Sequence, residues 1–222
     1  MSYLLLFLAV VLGYGIAVFF QKKGIKQMPQ ILAFSGAFLL SITLFELLPE
    51  VFESENEHIG LYIMLGILLQ IVLDFFSKGA EHGHVHISTT QTSFPWLLFF
   101  SLAIHALLEG FPVTHNESML VGVIVHKIPI VIILTLFFQR ANFGRATTLV
   151  FLFLFACMTP LGTWFSTEID LLKEYAVPIN SIAIGIFLHV STTILFESSK
   201  DHKFNLVKLL SIILGIVLAY FV

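Results

Sequence analysis

His105 and Glu109 stand four residues apart in Ile104-His105-Ala106-Leu107-Leu108-Glu109-Gly110-Phe111-Pro112, and His126 and Lys127 stand side by side in Val125-His126-Lys127-Ile128-Pro129. Both segments are otherwise hydrocarbon. An ionisable group in such surroundings costs several kcal/mol unless it is paired or lines a polar path, so these four side chains are functional candidates. A spacing of four puts His105 and Glu109 on one face of a helix. Two imidazoles and one carboxylate make a transition-metal site in outline.

The elements that must position them follow from composition. The chain has 222 residues, 58% hydrophobic and only 11% charged, against roughly 25% charged in soluble domains. This composition predicts an all-α polytopic membrane protein, a single transmembrane domain over residues 1–222. Apolar runs long enough for a bilayer core of ~30 Å recur near 3–20, 30–52, 59–77, 95–113, 118–138, 145–166, 177–197 and 204–222, eight spans in all. Period-2 alternation is absent, which disfavours a β-barrel. The first run lacks a basic leader and a small-residue cleavage site, and reads as a retained span. Cys157 is the only cysteine, so no intrachain disulfide is expected, and its apolar setting predicts a packing role.

Charge sets the orientation. Lys22, Lys23, Lys26, Lys78, Arg140, Arg145, Lys200, Lys203 and Lys208 fall on one side, while Glu53, Glu55, Glu57, Glu117, Glu168, Asp170 and Glu174 crowd the other with Lys173 as its only base. The positive-inside rule makes the basic side cytoplasmic and puts both termini outside. The cell membrane, plasma or bacterial inner, is the expected location. No nucleic-acid partner is expected of such a chain, whose environment is the lipid bilayer.

Spans 4 and 5 are joined only by Thr114 to Glu117, which predicts a tight antiparallel hairpin. His105 lies eight residues before that turn and His126 eight residues after it, so at ~1.5 Å per residue both lie about 12 Å deep. Pro112 is expected to free the Leu108 carbonyl and Pro129 that of Val125, and Pro160 is expected to break span 6. Further candidates for the pathway are Glu46 and Glu50, an acidic entrance at the outer end of span 2, Ser101 one turn before His105, and His189 and Glu197 in span 7. His189 is equally readable as a helix–helix hydrogen bonder. Asp74 and Lys78, at i and i+4, read as an interfacial pair. His82, His84 and His86 alternate in the cytoplasmic loop 78–94, where they could capture an ion or form only a polar linker. Asn116-Glu117-Ser118 matches a glycosylation sequon, but a loop this close to the membrane is a poor acceptor. Lys127 lies near mid-membrane, too deep for its ~6 Å stem to reach water, and must face the interior near Glu109 or Glu46, or be neutral there.

Together these segments resemble the ZIP (Zrt/Irt-like) metal-ion transporter family. The resemblance rests on HALLEG in span 4, ELLPE ending span 2 with Glu46 in place of a histidine, TPLG in span 6 and the His-Lys pair of span 5. It implies that His105 and Glu109 are primary ligands and that His126 occupies a further ligand position. It also implies an inverted repeat of spans 1–3 and 6–8 around the 4–5 hairpin, with one helical block moving against the other. Ala106, Ile130 and Thr159 depart from the family pattern, and each removes a ligand from the second half of a binuclear centre. The expected activity is uptake of a divalent ion into the cytoplasm by alternating access. Zn²⁺ is the expected cargo, with Fe²⁺, Mn²⁺ and Cd²⁺ as further candidates, no permanently bound cofactor, and a homodimer compatible with this reading. The competing readings are an intramembrane metalloenzyme, which lacks HExxH, and a metal sensor using the histidine loop, which lacks an output domain.

The basic asymmetry generates a test. Cysteine placed at Ser88 is expected to react with impermeant reagents only from the cytoplasm, and at Glu55 only from outside; labelling of both from one side would refute the orientation.

Overall fold

The computed structural model describes residues 2–21, 25–77, 94–114, 116–197 and 206–222. These residues form α1 (Ser2–Phe20), α2 (Met28–Phe52), α3 (Ile59–Ser77), α4 (Trp96–Glu109), α5 (Glu117–Arg140), α6 (Arg145–Glu168), α7 (Ala176–Glu197) and α8 (Leu206–Tyr220). A single 3-10 turn, Pro112–Thr114, follows α4, and a short helix, Asp170–Glu174, precedes α7. Among the described residues, seven segments are long and apolar enough to cross a membrane, while α8 is a shorter apolar helix. The protein is therefore a multi-pass, all-helical membrane protein. Within the expected last span at 204–222, the described residues are helical over the 15 residues of α8. His82, His84, His86 and Lys78 lie outside the described residues.

Local chemistry explains the ends. Asn116, the sequon asparagine, is the N-cap of α5, its side chain accepting the Met119 N–H at 2.9 Å, which satisfies one of the orphan donors of a helix start. The turn into α6 uses Asn142 at φ 57°, a left-handed conformation that asparagine tolerates. Lys208, buried at the start of α8, donates to the Leu195 carbonyl at 2.8 Å and so caps the last turn of α7.

The prolines behave differently from one another. Pro112 does not kink a helix that runs on to residue 113; α4 stops at Glu109, and the Phe111 N–H reaches the Leu108 carbonyl at 3.3 Å. That carbonyl is thus satisfied by a tightened last turn. Pro129 and Pro160 sit inside helices that continue through them, so span 6 is not broken. Pro49 is accommodated in a third way. The five residues Thr43–Leu47 form a π-turn, and the Leu48 N–H bonds the Thr43 carbonyl. A widened ladder here relieves the clash that Pro49 would otherwise make with the Phe45 carbonyl four residues back.

Helices pair closely as α1 with α5, α2 with α8, α3 with α7 and α4 with α6, while α2 also packs on α5 and α7, and α3 on α4. The expected tight 4–5 hairpin is not what forms. Although adjacent in sequence, α4 and α5 are not close-packed partners. Glycine explains the choice of neighbour. A Cβ at Gly110 would collide with the Thr159 carbonyl, and one at Gly162 with the Leu107 carbonyl. Backbone of α4 therefore lies directly on backbone of α6, the small-residue contact that membrane helices favour. Gly66 and Gly185 make the same contact between α3 and α7. Drawn onto α6, α4 stands away from α5, and the gap between them is bridged by side chains.

Valine at Gly162 should therefore part α4 from α6. We expect a loss of about 1–3 kcal/mol, read as a lower unfolding midpoint of the detergent-solubilised chain. Phe153→Val, on the exposed face of α6, should leave that midpoint nearly unchanged.

Candidate metal centre

The α4–α6 contact places the last turn of α4 against Thr159 and Thr163. Thr163 Oγ1 donates to the Gly110 carbonyl at 2.9 Å, and Thr159 Oγ1 donates to Glu109 Oε1 at 2.6 Å. From the other side of the gap, the Lys127 ammonium donates to the same Oε1. Glu109 and Lys127 are each only 2% exposed, so they form a fully desolvated ion pair. Lys127 also lies over the Phe155 ring, 4.6 Å from its centroid, a favourable place for a cation removed from water.

Two donors on Oε1 leave Oε2 for other partners. It faces His105 Nε2 at 3.6 Å, beyond hydrogen-bond range. The opposite nitrogen, His105 Nδ1, is 3.0 Å from Gln70 Oε1 of α3. The ring of His126 lies across the gap, its centroid 6.4 Å from that of His105. His105, Glu109, His126 and Lys127, together with Leu102, Ile130 and Phe155, enclose a cavity of about 10 Å³, room for one body the size of a water molecule.

The four residues singled out at the start thus come together around one cavity. They do not close into a ready-made triad: among the described residues no three His, Cys, Asp or Glu side chains converge tightly enough to hold an ion. Lys127 finds Glu109, the first of the two carboxylates considered for it. Glu46 is exposed on the π-turn of α2, and Glu50 is exposed a turn further on. Ser101 is buried and returns its hydroxyl to the Leu97 carbonyl at 2.9 Å. His189 pairs with Asp74 Oδ2 at 2.9 Å, the helix–helix reading. Asp74 meets His189 and also accepts from Gln70 Nε2 at 2.9 Å; its expected partner Lys78 lies outside the described residues. Glu197 is the last residue of α7. Of the three departures in the binuclear pattern, Ala106 is buried, Ile130 walls the cavity and Thr159 supplies a hydroxyl to Glu109.

Gln70 was not among the candidates. It is fully buried and is the lone polar residue of Ile67-Leu68-Leu69-Gln70-Ile71-Val72-Leu73. An amide in such a run, four residues from Asp74, was the available signal.

A family model described as the ZIP zinc transporter matches residues 79–222. The chain belongs to that family. No curated protein matches the chain. The matched region of this ZIP chain holds α4 to α8, and with them His105, Glu109, His126, Lys127 and Thr159, whereas α1, α2 and α3 precede it. ZIP proteins are transporters of metal ions and not enzymes, which disposes of the metalloenzyme reading.

In this ZIP transporter the buried pair should be felt in stability. Lys127→Met leaves an uncompensated carboxylate and is expected to cost about 3–5 kcal/mol, and adding Glu109→Gln should recover part of it. Unfolding midpoints of the two single variants and the double variant, all without metal, measure the coupling. Equal and additive losses would show that the two charges do not stabilise each other.

Proposed function

We propose that this ZIP transporter carries one Zn²⁺ at a time into the cytoplasm, bound first between His105 Nε2 and Glu109 Oε2 and then also by His126. The observation that carries this reading is the 3.6 Å between those two atoms. It is too long for a hydrogen bond, and near the ~3.3 Å that separates two ligands of a tetrahedral zinc with bonds of ~2.0–2.1 Å. A neutral imidazole and a carboxylate suit zinc, with iron, manganese and cadmium as lesser cargo.

Lys127 supports a single ion. Its ammonium already neutralises Glu109 from the side where a second cation would bind, and Ala106, Ile130 and Thr159 offer that second cation neither carboxylate nor imidazole. The exposed carboxylates of Glu46 and Glu50 would serve as an acidic entrance on the outer side. The orientation that fits is the one set by basic residues, with both termini outside a plasma or bacterial inner membrane.

Eight crossings, with α8 completing the set, fit the helix neighbours. Exchanging α1 with α6, α2 with α7, α3 with α8 and α4 with α5 turns the pair α1–α5 into α6–α4, and α2–α8 into α7–α3. All four are close-packed pairs, which supports an inverted repeat, although α3–α4 has no equally close counterpart in α8–α5. The seam between α4 and α5 parts His126 and Lys127 from His105 and Glu109. Sliding of the two blocks along it would make and unmake the site, as alternating access demands.

His105→Ala and Glu109→Ala are expected to abolish zinc uptake into proteoliposomes, because each removes a metal bond and strands polar partners. Joint replacement of His82, His84 and His86 should leave uptake measurable. Competition among Zn²⁺, Fe²⁺, Mn²⁺ and Cd²⁺ ranks the cargo. Wild-type uptake by Glu109→Ala at matched membrane insertion would show that the site lies elsewhere.

A further inference from the structure

A line of hydrogen bonds leaves the cavity through α3. His105 Nδ1 meets Gln70 Oε1 at 3.0 Å, Gln70 Nε2 meets Asp74 Oδ1 at 2.9 Å, and Asp74 Oδ2 meets His189 Nε2 at 2.9 Å. The line joins three helices, α4, α3 and α7, and its second member, Gln70, is fully buried.

Its direction is fixed from one end. An ionised carboxylate has only acceptors, so it must receive N–H bonds from both neighbours. The Gln70 amide group therefore turns its NH₂ toward Asp74 and its carbonyl toward His105. Facing a carbonyl, His105 Nδ1 has to carry the proton. A neutral imidazole has one proton, so Nε2 is left as a bare lone pair. That lone pair points into the gap shared with Glu109 Oε2.

We propose that Gln70 and Asp74 are positioning residues for metal binding, holding His105 in the one tautomer whose Nε2 can accept an ion. The proposal rests on the reading of His105 as a ligand. Without this line a neutral histidine has two tautomers, and in one of them the cavity is offered an N–H in place of a donor atom. Orienting partners of this kind alter metal affinity by about 10–100-fold. The three substitutions act differently. Gln70→Leu removes the acceptor. Asp74→Asn can present either end of its amide, so the direction is lost although the shape is kept. Gln70→Glu in its protonated form gives an O–H to Asp74 and a carbonyl to His105, so it keeps the direction.

The test uses the full chain with ¹⁵N-labelled histidine, first without metal and then titrated with Zn²⁺ alone. The His105 signals are assigned by their loss in His105→Ala. In the parent, Nδ1 is expected to be protonated and Nε2 bare, with the same signature in Gln70→Glu. Gln70→Leu and Asp74→Asn should show mixed or reversed protonation and bind zinc about 10–100-fold more weakly. Gln70→Glu should bind zinc as the parent does. Unfolding midpoints, taken in parallel, separate positioning from loss of fold: a variant with the parent's midpoint, a changed tautomer and weaker binding supports the proposal. Protonation of Nε2 in the parent, or an unchanged tautomer in Gln70→Leu, would overturn it. A tautomer that shifts as expected while zinc affinity stays constant would overturn it by another route, since it would show that His105 is not a ligand.

Discussion

A carboxylate and an ammonium removed from both water and lipid constrain everything around them. Desolvating two such charges costs several kcal/mol each, which is recovered only when they meet in good geometry with further hydrogen bonds. Glu109 and Lys127 meet that condition, with Thr159 as the second donor to Oε1 and Phe155 under the ammonium. The pair needs α4, α5 and α6 at one level. It also divides the carboxylate, with one oxygen committed to the protein and the other facing the imidazole. The proposed cation site can then stand empty without leaving a bare charge in the bundle.

The positions of the helices serve that pair through an uneven closeness. Where glycine removes the side chain, as at Gly110 and Gly162, backbones touch and the geometry is rigid. Where it does not, between α4 and α5, contact is made by long polar side chains able to change partner. The Glu109 carboxylate belongs to the rigid side and Lys127 to the looser one. The distribution of a few small residues thereby sets which side of the cavity is held by backbone contact and which by side chains.

Legibility of the sequence follows the same division. His105, Glu109, His126 and Lys127 stood out because charge and imidazole in hydrocarbon demand an explanation, and the structure gathers all four round one cavity. The apolar runs located the helices with ends within a few residues, except at α4, where Pro112 ends the helix at Glu109. The identity of neighbours was hidden, because helix rotation and pairing depend on contacts between distant segments. Hence α4 and α5 were expected to pack tightly and do not, and the reach of Asp74 across to His189 was not visible from its own helix. Gln70 escaped notice because an uncharged amide raises no electrostatic alarm and its partner lies 35 residues away.

The π-turn at Thr43–Leu47 has a consequence for comparing this protein with its kin. A ladder closing one residue late holds one more residue than a regular helix over the same turn. Relative to an uninterrupted helix, everything after Leu47 is rotated by about 100°. The segment therefore behaves as a one-residue insertion buried within a helix. An ungapped alignment with a regular second span would match residues on one side of the turn and misassign those on the other. The Glu46-Leu47-Leu48-Pro49-Glu50 motif straddles that boundary, so its residues can agree letter for letter with a relative's while facing different neighbours.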